Sequence, residues 1–540
     1  MMKRHIPLLP MLLLATIGIA QTVNDTINRM VLVESTYNPI IAGAVKRNFI
    51  PEEVRPSMNK EQVVYANESV GLIHFDRQAQ PAQATELTHE ENNSGYAHLG
   101  YGNYNNLNGI AAYKWEFNAN NDLAFKAHIN GWNGKFKLDN DAQWRSHLYN
   151  TGLGADYNLH LGKALLNAGI HATHYSYNYL AHEISSEAKS TQHANDFGGY
   201  ATVNGVAKRH YYYRATISYT HFMRGLHFAY KNPHSENHIH GEVSLGRNFY
   251  NWGLVSVSLR SDGLTYQGPA DYAGYFSMSV TPSWEYETGN FLFVSGFNMD
   301  ILSGQNITHP FQMSPECRIS YIPSNRFSAQ LTLDGGRDIH TFGTLYECSP
   351  YWASAEQLRP TYTFLNARLE GGVRIIEGLH LRFGGEYKIL SDALFETVMD
   401  SAGTIYTGIT NHNAQVATFG GGINYVYKDL VNLSAKGNYH YWMLQGDPAI
   451  LARAPQIKID VNARVRILPK LHAYTDLKLA TFTGTDERAV IDWSIGSNYA
   501  LNKKFSLFLD AHNLLNCRYS YYTGYPSQGF NILGGAIFKF

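Results

Sequence analysis

Long apolar runs are missing from this chain. After Ala20 no stretch of about 18 apolar residues occurs, so no membrane-spanning helix is expected. Charge is scarce as well: Asp, Glu, Lys and Arg make up 16% of the 540 residues, and the formal net charge is -1. Such a balance gives no field for gathering a polyanion, which sets nucleic acid aside as a partner. The cysteines are only three, Cys317, Cys348 and Cys517. Their odd number and the lack of a CxxC pair argue against a disulfide scaffold. They leave either three isolated thiols or a Cys317–Cys348 pair across a loop base. Nucleophile elbow, HExxH, P-loop and dinucleotide fingerprint are all absent. The glycine run Gly420-Gly421-Gly422 is followed by neither a Lys-Ser/Thr pair nor a helix, so it reads as a bend in a strand and not as a phosphate cradle. No enzyme activity and no cofactor are expected.

What the chain does have is 38 Tyr, 26 Phe and 47 Gly, the residues of strands joined by turns. It opens with Lys3 and Arg4, an apolar run from Ile6 to Ile17, and small residues at Gly18 and Ala20. That order reads as a cleaved secretory signal over 1–20. Residues 21–93 do not share the pattern that follows them. Ile50 to Pro56 is extended by its prolines, and Gln78 to Thr88 is a polar linker. This segment is read as a periplasmic or lumenal extension.

From 94 to 540, segments of about ten residues alternate apolar and polar. Between Ile457 and Ile467, Ile457, Ile459, Val461, Ala463, Val465 and Ile467 share one face. Lys458, Asp460, Arg464 and Arg466 share the other with Asn462. The next segment sets Leu471, Ala473, Thr475, Leu477 and Leu479 against His472, Tyr474, Asp476 and Lys478. A third sets Leu379, Leu381, Phe383 and Tyr387 against His380, Arg382, Glu386 and Lys388. A soluble sandwich also alternates, but its strands average about 5 or 6 residues. Short and long connections also take turns along the chain. Ten short turns, from Asn118-Asn121 to Asn502-Lys503, separate eleven longer loops, from 103–106 to 512–529. Short periplasmic turns and long external loops are the habit of a transmembrane antiparallel β-barrel, here an all-β one of 22 strands. An even count places both barrel ends on the periplasmic side. The location implied is the outer membrane, with its lipid and lipopolysaccharide against the apolar face.

The polar face nominates Arg382, Glu386, Lys458, Asp460, Arg464, Arg466, His472, Asp476 and Lys478 as lumen lining, where water or partner groups solvate charge. Among them, mutual pairing without a ligand is the plainer reading. Loop 336–361, with Tyr346, Tyr351 and Trp352, and loop 441–455, with Tyr441 and Trp442, offer aromatic rings for recognition. Packing inside the loop competes with that role. Tyr211-Tyr212-Tyr213 and the cluster Tyr519, Tyr521 and Tyr522 suit interfacial girdles. Of the 24 histidines, His238 and His240 lie two apart on one strand face. Without a third ligand they make only a weak metal motif, and no metal is assigned.

The C-terminus carries a resemblance. Phe505 to Ala511 runs into His512-Asn513-Leu514-Leu515-Asn516, and Tyr519, Gly524-Tyr525-Pro526, Gly529, Gly534-Gly535 and Phe540 follow. This resembles the end of a TonB-dependent outer-membrane receptor barrel, with Leu515 in place of the usual Phe and Phe530 where Arg often stands. The resemblance implies a receptor or transport barrel that binds or passes a solute. It also implies that Phe540 is the aromatic end read by the outer-membrane assembly machinery. About seventy residues precede the first strand, too few for the family's plug, and no stretch reads as an energy-coupling box. The chain is thus similar to plugless, receptor-like barrels such as those of Bacteroidota. Two other readings stand beside the receptor. One is a structural barrel whose 21–93 extension engages a periplasmic protein; the other is a barrel enzyme.

Overall fold

The computed structural model describes residues 94–540 except the loop positions 139–140, 181–190, 208–209, 226–233, 269–271, 306, 308, 355–357, 402, 429, 445 and 485–487. The expected secretory signal and the 21–93 extension lie outside the described residues.

Strands of mostly 11 to 19 residues follow one another as antiparallel neighbours from Gly95–Gly102 to Asn531–Lys539. The last strand then pairs with the first, from Tyr96↔Lys539 to Gly102↔Leu533. The wall is a closed 22-stranded antiparallel barrel. A further three-residue strand, Trp352–Ser354, sits apart from it. Closure satisfies every strand edge, which hydrocarbon would otherwise leave without partners. The alternation sends Leu99, Leu153, Ile170, Phe383, Phe419 and Leu509 outward as an exposed apolar belt. Among the described residues no helix is long and apolar enough to cross a membrane.

The ten short turns fall where the sequence places them, and the termini of the barrel share their rim. That rim carries an aromatic girdle. Trp284 stacks on Tyr286 at 5.7 Å, Phe291 on Tyr321 at 4.5 Å, and Arg247 lies 5.1 Å over Tyr211. Rings with one wet and one greasy side suit such a boundary. The second expected girdle is not there. Tyr519 is buried, and Tyr521 and Tyr522 point with it into the lumen from the last loop.

One further expectation changes at the opposite rim, where the alternation of connections reads 390–412 as an external loop. Residues 390–412, read as a loop, continue two strands of the wall, Leu379–Ser401 and Thr404–Tyr427, as a long hairpin. A bulge at Leu390/Ala393, with Asp392 at φ 54°, breaks the register there. Beyond it Leu394, Phe395, Tyr406 and Ile409 are buried, so the hairpin leaves the wall and turns inward. Its Ile405 N–H donates to Leu180 O at 2.9 Å. Leu180 follows the fifth strand, Ala164–Asn178, while the hairpin joins the fifteenth and sixteenth strands of the wall. The tip therefore reaches the far side of the ring. Of the two cysteine readings, the isolated thiols hold: Cys317, in the wall, and Cys348, buried in the mouth, are both free.

Candidate functional site: a capped mouth over a polar cavity

The loop that leaves the wall at Asp338 and re-enters at Thr361 folds into the barrel. Its sequence explains why. Phe342, Leu345, Tyr346, Tyr351 and Trp352 would present a run of apolar surface to water, and burying each stabilises by ~1.5–3 kcal/mol. A short helix, Phe342–Cys348, begins at Thr341, whose hydroxyl accepts from Thr344 N–H at 3.1 Å. Glu236, on the strand His234–Phe249, accepts the Phe342 N–H with both carboxylate oxygens at 3.0 Å. After the helix, Trp352–Ser354 pairs in parallel with Thr407–Ile409 of the inward hairpin.

This cap is held from several sides. The buried Arg224 guanidinium donates to Trp352 O at 2.8 Å and lies 3.8 Å over the Trp352 ring. Such a stacked, desolvated cation contributes about 2 kcal/mol. Tyr351 stacks on Tyr525 of the last loop, with ring centroids 3.6 Å apart and planes 8° from parallel. Thr407 donates to Thr523 O at 3.1 Å, and the Thr523 hydroxyl donates to Glu396. Phe136, Trp144, Tyr177 and Phe222 from the wall close around the same core. Tyr346, Tyr351 and Trp352 thus do not present their rings outside; they are at most 6% exposed and form the stopper itself. The other pair of aromatics ends a strand, Val431–Leu444, instead of opening a loop. Tyr441 is exposed, whereas Trp442 packs against Phe395 and donates its indole N–H to Pro455 O at 2.8 Å.

Beneath the cap lies a cavity of about 690 Å³. Tyr346 and Glu347 of the helix form part of its roof, and Trp132, Tyr175, Tyr474 and Tyr521 stand in its walls. Of the sequence-nominated residues, Arg464, Asp476 and Lys478 reach it. Strand register brings them together. One row across the wall reads Lys436–Asp460–Lys478–Asp492, and the next reads Ser434–Asn462–Asp476–Ser494. Asp492 accepts from the Tyr521 hydroxyl, Asp476 from the Asn462 amide, and Lys436 lies 3.7 Å from Asp460. Alternating signs across neighbouring strands keep the lumenal charges paired. The remaining nominees share the inner face without reaching the cavity. Glu386 pairs with Lys388 at 3.2 Å and lies 4.0 Å from Arg368. Arg382, Arg466 and His472 sit near the short-turn rim, Arg466 opposite His472. Lys458 lies higher, opposite Ala480.

The last loop is knitted by asparagines. Asn513 and Asn516 adopt left-handed backbone at φ 48° and 49°, which Asn tolerates better than most residues. The Asn513 amide donates to Cys517 O and Gln528 O, each at 2.9 Å, and its oxygen accepts from Cys517 N–H. The C-terminal motif is therefore a turn-fixing device that aims Tyr519, Tyr521 and Tyr525 inward.

His340, just ahead of the helix, is buried, and burial holds its pKa down at about 4. Its Nε2 accepts Thr361 N–H at 3.2 Å, which requires a neutral imidazole. A histidine whose folded pKa is depressed stabilises the cap above its ordinary pKa, ~6.5, and that stability is lost as pH falls toward 4. We expect limited proteolysis of the cap to accelerate on acidification across this window, and His340→Gln to flatten the dependence. An unchanged slope in His340→Gln would show that other groups set it.

Sequence reasoning missed Arg224, Glu236, Asp262 and Asp492. Glu236 and Asp262 stand on outer strand ends that the sequence assigns to loops 231–236 and 262–271, whereas Arg224 lies on Tyr211–Gly225, in a stretch the sequence already reads as strand. Asp492 faces inward on Val490–Ala500, and only the strand pairing places it beside Lys478.

The fold can be set beside solved structures. The FrpB iron transporter from Neisseria meningitidis, F3-3 variant, superposes with a TM-score of 0.65 at 10% identity, over 83% of this chain and 82% of that one. Copper transporter OprC gives 0.62 at 11% identity, over 83% and 80%. The ferric enterobactin receptor PfeA of Pseudomonas aeruginosa, solved with enterobactin, gives 0.62 at 10%, over 83% and 81%. At these identities the likeness is one of fold, and it places the chain in the architecture of outer-membrane receptor barrels. No protein-family model and no curated protein matches the sequence.

Proposed function

We propose that this protein is an outer-membrane, receptor-type barrel that binds a polar solute and passes it inward, with its mouth closed by its own loop 339–360 instead of a separate plug. The observation that carries this is the inward cap seated over a cavity of about 690 Å³ lined by tyrosines and paired charges. A lining of ring faces beside amides, carboxylates and cations suits a solute rich in hydrogen-bonding groups. The fold shared with iron and copper transporters and the C-terminal resemblance to TonB-dependent receptors support the same reading. The full mature protein, reconstituted in planar bilayers, is expected to show no sustained open current. Proteoliposomes carrying it are expected to take up at least one member of a panel of oligosaccharides, oligopeptides and metal chelates. A steady, wide-open conductance, or neither binding nor uptake of any panel member, overturns the proposal.

A further inference from the structure

Two strands of the wall, His234–Phe249 and Gly253–Gln267, bring three metal-ligating side chains to one point of the lumen. His238 and His240 share the inner face of the first, because Ile239 between them and Val243 beyond them are exposed to the outside. Register puts His240 directly opposite Asp262, with His238 opposite Leu264. The side chains converge: His238 Nε2 lies 2.9 Å and His240 Nδ1 2.7 Å from the same oxygen, Asp262 Oδ1. All three donor atoms fall within 4.8 Å of one another.

We propose that His238, His240 and Asp262 form a binding site for a divalent first-row transition metal on the lumenal wall. The chemistry of the donor set selects this class. Two imidazole nitrogens and one carboxylate oxygen are ligands for Zn²⁺ and its neighbours, whereas Mg²⁺ and Ca²⁺ prefer all-oxygen shells. Metal–nitrogen and metal–oxygen bonds of about 2.0–2.2 Å in tetrahedral geometry set donor atoms roughly 3.3 Å apart. The observed separations to Asp262 are a few tenths of an ångström shorter, so small side-chain rotations open the site while the strand backbones stay in register. Side-chain exposures of 19% and 22% for the histidines and 9% for the aspartate leave the site reachable from the lumen while anchoring the carboxylate. Three protein ligands leave at least one coordination position open, and it faces the lumen.

The position gives the site a role. Glu236, two residues before His238 on the same face, holds the N-terminus of the cap helix. A metal seated just inside it ties two adjacent strands together below the stopper and offers its open position to a donor atom of whatever lies in the lumen. This inference stands apart from the solute reading above, since it concerns the wall and not the cavity.

The test uses full-length protein in detergent, stripped with a chelator and titrated with Zn²⁺ by calorimetry. We expect one saturable site whose affinity falls by about tenfold or more in His238→Gln, His240→Gln and Asp262→Asn. His128→Gln, whose ring is bonded to Asn150 elsewhere on the barrel, should bind as the wild type does. Folding of each variant is checked by its heat-dependent gel migration. X-ray absorption at the zinc edge of the wild type needs no variant, and should report two imidazoles with oxygen ligands. An all-oxygen shell, an absence of saturable binding, or equal affinity in folded variants of all three residues overturns the proposal.

Discussion

Excising residues 339–360 and rejoining Asp338 to Thr361 through a two-residue Asn-Gly turn is expected to convert a quiet barrel into one with a sustained open current. The surgery is permitted by register. Asp338 and Thr361 are direct cross-strand partners, so their Cα atoms stand about 5 Å apart, a gap that a tight hairpin turn closes. The wall keeps all of its strand pairs, because among the described residues the excised segment pairs only with the hairpin strand at Thr407–Ile409. What is lost is the stopper: Phe342, Leu345, Tyr351 and Trp352, each buried in the mouth and each holding it shut by ~1.5–3 kcal/mol. Arg224 loses the carbonyl and the ring that hold it, and the inward hairpin loses a strand partner. A 22-stranded ring is wide enough to conduct once unblocked, so the change should be large and visible in single channels. If the excised protein stays as silent as the parent, the cap is not the stopper. The 21–93 segment or a second chain would then have to fill the lumen, and deleting 21–93 becomes the next measurement.

The same cap shows where the sequence stops being readable. The wall is written locally. In Ile457–Ile467 the period of two fixes which side of each residue meets lipid, and Asn502-Lys503 or Glu377-Gly378 can only be turns. That Asp460, Asp476 and Lys478 face inward follows from that period without further information. The fate of the outer loops does not. Tyr346, Tyr351 and Trp352 are equally aromatic whether they face a ligand or Tyr525, and only contacts between segments far apart in the chain decide. Boundaries fail for a related reason. At Asp262 and in 390–412 the strands continue past the membrane, where the apolar half of the alternation is no longer demanded by lipid, so the pattern fades before the hydrogen bonding does. That fading conceals Asp262, and with it the third ligand that changes His238 and His240 from a weak motif into a cluster.

Closure of the ring rests on two glycines and one phenylalanine, and substitutions there should have the largest effect on folding. Every other strand pair of the wall is joined by a connection in the chain, but the first and last strands meet only through their ladder. At its middle Gly100 faces Gly535, and Phe508, paired with Gly535 on the preceding strand, lays its ring over both. His98 stacks on that ring with centroids 4.3 Å apart. A Cβ on Gly535 would stand 2.1 Å from Leu99 O and 2.6 Å from the Phe508 ring. The first of these is backbone of the opposite strand, so no rotamer relieves it. A Cβ on Gly100 would meet only side chains, the Phe508 ring at 2.8 Å and Leu533 at 3.0 Å. Gly535→Val is therefore expected to abolish the heat-modifiable, folded form on gels, with or without Phe508→Ala. Gly100→Ala should lower the folded fraction severalfold, and Phe508→Ala should remove much of that penalty in the double variant, because the tightest clash is gone while the Leu533 contact stays. An apolar ring covering strand glycines contributes packing that the glycines lack, so Phe508→Ala alone should destabilise by about 3–5 kcal/mol. Normal folding of Gly535→Val would mean that the first and last strands do not meet in this register, and the barrel would have to close by another pairing.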